Sequence, residues 1–350
     1  MSAPGTSSVL EQEIRSQSSM LEGRGPAGAE AAARAVARFR AEGAEHLLVA
    51  ARGSSDNAAR FGQYLLADRL QLLVSLAAPS AFARPELAPR LGHMGVIGLS
   101  QSGQSPDIVS VLEAARAQDR PTVAVTNDEG SPLALAADVI VPLAAGEERS
   151  VAATKTYLAS LVAFVELADA YDPGGVVPWA TRLPALVHET VERAFAAGDA
   201  SGMLAAAPSL SVVGRGLGYS AAMEAALKMR EVNGILAEGW AAPDLLHGPI
   251  AGLQGHRAVL LITTPDFPPA YWRGIAELVL ARTADLVVIS DDRGLSALGR
   301  FGIPLPSGPA PWISSTLAAV AAQALAVMTG RHLGIDVDRP DGLMKVTRTR

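Results

Sequence analysis

The 350-residue chain contains no cysteine, and it contains only three lysines beside 26 arginines. The missing cysteine excludes disulfide bonds, thiolate metal ligands and a cysteine nucleophile. The scarcity of lysine is informative because arginine supplies positive charge but stays protonated and cannot act as a free amine. Lys155, Lys228 and Lys345 are therefore candidates for positions where an amine is needed.

The sequence also lacks a positive net charge and a long apolar run. Its formal net charge of -6 argues against nucleic acid or an anionic membrane as partner, since both bind basic surfaces. The start, MSAPGTSSVLEQEIRSQ, has no basic segment followed by an apolar one, so we expect no signal peptide. The stretch TLAAVAAQALAVMTG is shorter than the about 20 residues that span a bilayer. We therefore expect a cytoplasmic protein that does not enter a membrane.

Two segments of the chain repeat one order of elements. EHLLVAARGSSDNAARFGQYLL reads as an apolar strand, a Gly/Ser turn and a helix, and PSLSVVGRGLGYSAAMEAALKM repeats that order. Each half then alternates short Val/Ile/Leu runs with amphipathic helical stretches, which is typical of parallel sheets covered by helices on both faces. Hydrophobic residues make up 49% of the chain, enough for a core in each half. The sequence therefore predicts an α/β fold with two similar parallel sheets.

The Pro- and Gly-rich segment YDPGGVVPWA, residues 171–180, is the predicted joint between the halves. We expect four parts along the chain. They are an N-terminal arm and helix at 1–44, a first domain at 45–175, a linking helix with a second domain at 176–335, and a C-terminal tail at 336–350.

A serine-rich loop, SQSGQS, lies between a predicted buried strand and a predicted helix. Ser105 suits the N-cap of that helix, and Pro106 suits its first position. The carboxyl end of a parallel strand followed by a helix N-terminus favours anion binding. The candidate anion ligands are Ser100, Gln101, Ser102 and Ser105. Serine and glycine are also ordinary turn residues, so the spacing alone leaves both interpretations open.

The segment AMEAALKMREV carries Glu224, Lys228 and Glu231 at a spacing that places them on one helix face. A solvated Glu–Lys pair, worth about 0.3–0.5 kcal/mol, is the alternative to a catalytic row. Further along, His247 lies in a Gly-Pro turn, where a structural role is the alternative to a catalytic one. The spacing of the six histidines predicts no metal site.

With these motifs in hand, the chain resembles the SIS (sugar isomerase) family from about residue 45 to its end. Within that family it is most similar to the isomerase half of glucosamine-6-phosphate synthase and to the SIS-type glucosamine-6-phosphate deaminases. SQSGQS resembles the family's phosphate loop, and GEERSVAATKT resembles its Val-Ala-Ser-Thr-Lys segment. GRGLGYSAAMEAALKMREV, LAEGWAAPDLLHGP and DVDRPDGLMKV resemble its Lys-Glu helix, its histidine loop and its lysine-bearing tail. The resemblance implies two tandem SIS domains, each a three-layer αβα unit with a flavodoxin-like parallel sheet.

The resemblance also implies a role for each matching residue. The residues implied to bind substrate are Ser100, Gln101, Ser102 and Ser105 for a sugar 6-phosphate, and Ser55 and the Val151 backbone for the sugar. Glu231 would move a proton between C1 and C2, and His247 would assist opening of the ring. Lys345 would be the amine that can form a Schiff base, supported by Lys228. Lys155 is interpreted as a positioning residue or a helix-start contact.

The activity that the resemblance implies is that of an amino-sugar-phosphate deaminase or isomerase. The expected reaction converts glucosamine 6-phosphate to fructose 6-phosphate and ammonia, without a metal or organic cofactor. The site is expected to form in a homodimer, with the histidine supplied by the neighbouring subunit. The alternatives are another substrate, namely galactosamine 6-phosphate, an N-acylated sugar phosphate or a fructosamine 6-phosphate, or a sugar-phosphate sensor without catalysis.

The sequence departs from the family at four places. The glutaminase domain of the synthase has no counterpart in the chain, so glutamine-dependent synthesis is not expected. The family's Cys-Gly-Thr-Ser turn reads Arg52-Gly53-Ser54-Ser55, which adds a cation. The second lysine of the helix is Arg230, and the loop glutamate is Asp244. These changes leave the exact substrate open.

Overall fold

The computed structural model describes residues 7–174, 181–254, 257–308, 310–340 and 342–345. Within these residues the chain forms two five-stranded sheets. The strands of the first sheet are β1 (His46–Ala50), β2 (Leu73–Leu76), β3 (Met94–Leu99), β4 (Thr122–Thr126) and β5 (Val139–Pro142). The strands of the second sheet are β6 (Leu210–Gly214), β7 (Ala237–Ala241), β8 (Ala258–Ile262), β9 (Leu286–Ser290) and β10 (Phe301–Pro304).

Both sheets have the same strand order. The first runs β2-β1-β3-β4-β5 and the second β7-β6-β8-β9-β10, and all of these neighbours pair in parallel. This is the 2-1-3-4-5 order of flavodoxin-like folds, in which ligands sit at the carboxyl edge of the strands. The predicted fold class is therefore confirmed.

Helices surround the two sheets. Those before β6 are α1 (Val9–Arg15), α2 (Gln17–Glu22), α3 (Ala27–Ala41), α4 (Ser54–Leu70), α5 (Pro106–Arg116), α6 (Pro132–Leu135), α7 (Lys155–Tyr171), α8 (Leu183–Phe195) and α9 (Gly198–Ala206). Those after β6 are α10 (Leu217–Asn233), α11 (Ala242–Leu246), α12 (Pro269–Leu280), α13 (Arg293–Ser296) and α14 (Pro311–Leu333). Short 3-10 helices span Pro79–Phe82, Pro85–Leu87 and Pro249–Gly252.

The central strands are buried on both faces, which explains their unbroken Val/Ile/Leu runs. Every residue of β4, β8 and β9 is buried. In the first sheet, Leu48 and Val96 share a core cluster with Ile108 and Leu112 of α5. In the second, Val213 and Val259 share one with Trp272 and Ile275 of α12.

The repeat seen in the sequence is also a repeat of backbone geometry. Gly53, which ends the turn between β1 and α4, has φ 56° and ψ -133°. Gly216, between β6 and α10, has φ 56° and ψ -129°. This left-handed region suits glycine, because a side chain there would be strained. The helices that follow the two turns are each 17 residues long.

The chain divides into two compact units that do not follow chain order. The first unit, which holds the first sheet, comprises Met20–Glu148, Lys155–Trp179 and Met344–Arg350. The second unit comprises Met1–Ser19, Arg149–Thr154 and Ala180–Leu343. The boundaries predicted at 44, 175 and 335 stay predictions, and most of the predicted joint at 171–180 lies outside the described residues.

The N-terminal arm is helical where it is described. α1 has Ser8 as its N-cap, and the carboxylate of Asp338 accepts hydrogen bonds from the Val9 and Leu10 amides, both at 2.8 Å. Residues 1–6 of the predicted arm lie outside the described part of the chain.

The apolar stretch near the C-terminus is longer than the sequence analysis allowed. α14 has 23 residues, because Pro311 begins the helix and Gly334 caps it in the left-handed region. In the described part of the chain, α14 is one helix that is both long enough and apolar enough to cross a membrane. The expectation that this stretch is too short was therefore wrong. Its most apolar window is 94% buried within the protein, which is the burial of a core helix.

Candidate functional site

The serine-rich loop follows β3 at the carboxyl edge of the first sheet. Its start is anchored to the neighbouring strand: the Ser100 amide donates to the Val125 carbonyl at 3.1 Å, and the Gln101 carbonyl accepts from the Asn127 amide at 3.1 Å. Ser100 is buried, whereas Ser102 and Ser105 are half-buried. The loop is therefore fixed by β4 while two of its hydroxyls stay accessible.

Gly103 gives this loop its shape. Its φ of +61° lies in the left-handed region, and a Cβ at this position would be 2.0 Å from Oγ of Ser131. Its amide donates to the Ser100 carbonyl at 3.2 Å. Any side chain here would push the loop away from Ser131, so the close turn depends on glycine.

Ser105 occupies the N-cap of α5, as predicted, but its side chain accepts no hydrogen bond from the helix. The other serine and aspartate N-caps behave differently: Ser131, for example, accepts from the Ala134 amide, and Asp292 accepts from the Gly294 and Leu295 amides. A cap hydroxyl that does not bind its own helix can bind a ligand together with the first-turn amides. This is the arrangement expected of an anion site.

Arg52 stands where the family's turn has cysteine, and its guanidinium contacts the first turn of α5. Nε of Arg52 lies 2.8 Å from Oδ2 of Asp107, and Nη2 lies 3.4 Å from Oγ of Ser80. Its side chain is 48% exposed, so part of the guanidinium faces solvent.

Ser55 lies two residues after the turn glycine, half-buried in the first turn of α4. Burial raises the pKa of its neighbour Asp56, although Arg60 and Arg52 oppose that rise.

The predicted row of Glu224, Lys228 and Glu231 lies on α10 of the second unit, and two of its three members are buried. Nζ of Lys228 is 2.6 Å from Oε2 of Glu231 and 3.4 Å from Oε1 of Glu224. The side chains of Lys228 and Glu224 are 2% and 1% exposed. The alternative of a solvated surface pair is therefore wrong for this row.

Lys228 is an ammonium group in this environment. Burial disfavours its charged form, but the carboxylates of Glu224 and Glu231 outweigh burial and raise the pKa of Lys228. A lysine with a raised folded pKa contributes stability below its unfolded pKa and loses it as pH rises through the folded value. At neutral pH the contribution is complete, and Lys228 acts as a fixed positive charge.

Glu231 is the accessible member of the row. Its side chain is 27% exposed, and it lines a cleft of about 420 Å³. The polar residues that line this cleft with it are Arg230, Asn233, Asp336 and Arg339. One carboxylate oxygen is fixed by Lys228 while the group faces open space, which suits a general base.

His247 ends the short helix α11 and is exposed. Its backbone amide bonds to the carbonyls of Pro243 and Asp244, each at 3.2 Å. Gly248 follows with φ 143°. This turn fixes the backbone and leaves the imidazole of His247 at the surface.

Lys345 belongs to the first unit and is paired with a residue that the sequence analysis missed. Its Nζ lies 2.8 Å from Oε2 of Glu148, whose side chain is fully buried. The Lys345 side chain is 26% exposed, so the ammonium does not project into bulk water. Glu148 lies within GEERSVAATKT, the motif that carries Lys155. Its place in that motif could have marked it as a candidate site residue.

Lys155 and Val151 flank the start of α7. Nζ of Lys155 donates to the Glu147 carbonyl at 2.5 Å.

Val151 is half-buried in an irregular segment of the second unit. The backbone just before it is fixed by Glu13 of α1, whose carboxylate accepts from the Arg149 amide at 2.6 Å and from the Ser150 amide at 3.2 Å. Sequence reasoning did not identify Glu13, and no motif pointed to it.

The predicted site residues are divided between the two units. The first unit holds Ser55, Ser100, Gln101, Ser102, Ser105 and Lys345, and the second holds Val151, Lys228, Glu231 and His247. Over the described ranges, no group of three or more His, Asp or Glu side chains is placed to hold a metal ion.

Comparison with known proteins agrees with this architecture. The chain is 29% identical over 316 residues to glutamine–fructose-6-phosphate aminotransferase [isomerizing] of Caulobacter vibrioides, covering 86% of this chain and 52% of that protein. The chain thus spans about half the length of the curated relatives it matches. The C-terminal domain of glucosamine-fructose-6-phosphate aminotransferase from Francisella tularensis superposes with a TM-score of 0.84 at 22% identity, over 97% of this chain and 100% of that one.

A second solved structure has the same fold. Glucosamine-6-phosphate deaminase from Thermotoga maritima superposes with a TM-score of 0.78 at 20% identity, over 98% of this chain and 100% of that one. The sequence matches the SIS domain over residues 42–170 and again over residues 203–328, which are the segments that form the two sheets. The chain belongs to the SIS domain family.

Proposed function

We propose that this protein is an amino-sugar-phosphate deaminase and isomerase that converts glucosamine 6-phosphate to fructose 6-phosphate and ammonia. The observation that carries the proposal is the Glu231 carboxylate, which is fixed by a buried ammonium and open to a cleft. A sensor of sugar phosphates needs the anion loop but has no use for a poised base. The retention of both favours an enzyme over a sensor.

Binding begins with the phosphate in this proposal. The α5 N-terminus and the hydroxyls of Ser102 and Ser105 hold the 6-phosphate, and the Arg52 guanidinium adds positive charge beside it. A phosphate held at the far end of the hexose fixes the position of C1 and C2, so binding energy is used for orientation.

The chemistry then needs one proton transfer and one hydrolysis. His247 assists opening of the pyranose ring, which exposes the C1 aldehyde. Glu231 takes the proton from C2 and returns it to C1, so that the C2 amine becomes a C2 imine while C1 becomes a hydroxymethyl group. Water adds to the imine, ammonia leaves, and fructose 6-phosphate remains. The Lys228 ammonium, 2.6 Å from Oε2 of Glu231, holds that carboxylate in place to accept the C2 proton.

The assembly is part of the proposal. The exposed position of His247 supports a homodimer in which the histidine completes the site of the neighbouring subunit. A cytoplasmic location, where hexose phosphates are supplied, belongs to the same proposal.

The test is to incubate the purified protein with glucosamine 6-phosphate and to measure ammonia and fructose 6-phosphate. We expect both products in equal amounts, and a loss of both in a Glu231→Gln variant. A panel of galactosamine 6-phosphate, N-acetylglucosamine 6-phosphate and a fructosamine 6-phosphate decides the substrate. Binding of hexose 6-phosphates without any product from the panel contradicts the enzyme and favours a sensor.

A further inference from the structure

The carboxylate of Glu148 is the least exposed acidic group among the residues that contact a candidate catalytic lysine. Its side chain has no exposed surface, and Oε1 accepts from the Thr156 amide at 3.2 Å while Oε2 accepts from Oγ1 of Thr156 at 2.7 Å. Thr156 lies in the first turn of α7, a helix whose residues are almost all buried. Glu148 is therefore fixed by a rigid element of the first unit.

Lys345 has no such support of its own. The chain after α14 contains turns and irregular backbone, without a helix or strand, in the described residues 334–340 and 342–345. Regular structure therefore does not fix the direction of the Lys345 side chain. The 2.8 Å ion pair with Glu148 does, because a buried carboxylate strongly favours a cationic partner.

We propose that Glu148 is the positioning residue for Lys345: it holds the lysine nitrogen in place for the sugar carbonyl and stores its proton while an imine forms. This inference rests on the proposed function and extends it with the role that the family resemblance implies for Lys345, that of the amine that forms a Schiff base with the sugar.

The proton balance requires such a group. An ammonium has no lone pair, so the proton first passes from Nζ to the Glu148 carboxylate. The neutral amine adds to the carbonyl carbon, and one N–H proton moves to the carbonyl oxygen, which gives a carbinolamine. The Glu148 carboxylic acid then protonates the leaving hydroxyl, water departs, and the products are a protonated imine, water and the original carboxylate. Glu148 is unchanged over the cycle.

The experiment compares Glu148→Gln with Glu147→Gln, a matched control in which the same change is made at the exposed neighbouring side chain. The first measurement uses substrate-free protein: the rate of tryptic cleavage after Lys345, followed by mass spectrometry. Trypsin must bind the lysine side chain, so the ion pair has to open first. Because hydrogen bonds to charged groups are worth a factor of about ten or more, we expect Glu148→Gln to accelerate cleavage at least about tenfold and Glu147→Gln to leave it unchanged.

The second measurement traps the imine. Borohydride is added with glucosamine 6-phosphate, and the modified Lys345 peptide is quantified. We expect trapping in the parent and in Glu147→Gln, and at least about tenfold less in Glu148→Gln. A Glu148→Asp variant, which keeps the charge, is expected to recover part of both the protection and the trapping, and circular dichroism of each variant confirms that it is folded.

The outcomes separate this inference from the proposed function. Equal cleavage rates in Glu148→Gln and Glu147→Gln overturn the positioning role whatever the substrate is. Faster cleavage in Glu148→Gln with no trapping in the parent retains the ion pair as the support of Lys345 and overturns the proton-storing step. If Glu148→Gln is unfolded, Glu148→Asp decides: cleavage faster than in the parent together with reduced trapping supports positioning, and cleavage and trapping equal to those of the parent contradict it.

Discussion

The two halves of this protein share a framework and differ where the strands end. In the first half, a Cβ added to the turn residue Gly53 would meet no atom within 4 Å. In the second half, a Cβ on the equivalent Gly216 would be 2.4 Å from Oδ2 of Asp266 and 3.0 Å from the ring of Phe267. Space beside the same turn is therefore open in one copy and filled in the other.

The filling of the second copy comes from the loop that corresponds to SQSGQS. It reads TTPDFPP, and the guanidinium of Arg215 lies 4.3 Å from the Phe267 ring centre and 4.7 Å from that of Tyr271. Trp272 completes the aromatic group and donates to the Thr264 carbonyl at 3.0 Å. An arginine in the same turn thus contacts the first turn of α5 in one copy and an aromatic cluster in the other.

The helices that follow the two turns differ in polarity at two equivalent positions. Counted from the turn glycine, Glu224 and Lys228 of α10 correspond to Phe61 and Leu65 of α4, which are buried apolar residues. The first copy thus combines the serine-rich loop with apolar residues at these two helix positions, whereas the second combines a filled loop with a buried Glu–Lys pair. The proposed phosphate site and the proposed base therefore lie in different copies of the fold.

The largest expected effect comes from removing the base of the charged helix. Glu231→Gln keeps the shape of the side chain but cannot accept a proton, so we expect kcat to fall by about 10²- to 10⁴-fold. Affinity for glucose 6-phosphate, which the proposed function assigns to the first copy, should hardly change. Glu277→Gln, an exposed position on α12, is the control. An equal loss in both variants, or a loss of affinity alone, contradicts the separation of roles.

Next in size is the effect of removing the buried cation. Lys228→Met removes the cation beside the buried Glu224, and breaking a buried ion pair by removing one partner costs about 3–5 kcal/mol. Urea unfolding should show that loss, whereas Leu65→Met at the equivalent apolar position of α4 should cost less than about 1.5 kcal/mol. Similar losses in the two variants would show that the charged row of α10 is not a buried network.

The two serine caps provide a finer test. Ser105→Ala removes a hydroxyl that does not cap its helix, so we expect unchanged stability and about tenfold weaker binding of glucose 6-phosphate. Ser131→Ala removes a working cap and should cost about 1 kcal/mol of stability. Calorimetric binding and thermal melting of both variants measure the contrast. A stability loss in Ser105→Ala without a change in affinity would make that serine an ordinary cap.

The smallest expected effects come from the paired arginines. Arg52→Met should weaken glucose 6-phosphate binding by about two- to fivefold, the range for a partly exposed charge. Arg215→Met should leave that affinity unchanged and lower stability by about 0.5–1 kcal/mol through its aromatic contacts. The reverse pattern would mean that the second copy has the anion site.

Local sequence signals were sufficient for most of the framework. The Val/Ile/Leu runs and the Gly turns predicted two parallel sheets with a common order, because fully buried strands need apolar residues on both faces. The N-cap position of Ser105 followed from Pro106 at the first helical position. The length of α14 was underestimated, although Pro311 and Gly334 mark both of its ends.

The parts that sequence reasoning missed depend on contacts between distant residues. Glu148 and Lys345 are 197 positions apart, and Glu13 holds the Arg149 amide over 136 positions. Neither contact follows from helical or strand periodicity, which reports only on neighbours along the chain. The burial of Lys228 was likewise hidden, since its spacing to the two glutamates is equally that of a surface pair.

The most direct test of the account is the number of hexose phosphates that the protein binds. Isothermal titration of the parent and of a Ser102→Ala/Ser105→Ala variant with glucose 6-phosphate measures both stoichiometry and affinity. The account predicts one molecule per chain in the parent and a strong loss of affinity in the variant. Two equivalent molecules per chain, or an affinity unchanged by loss of both hydroxyls, would contradict it.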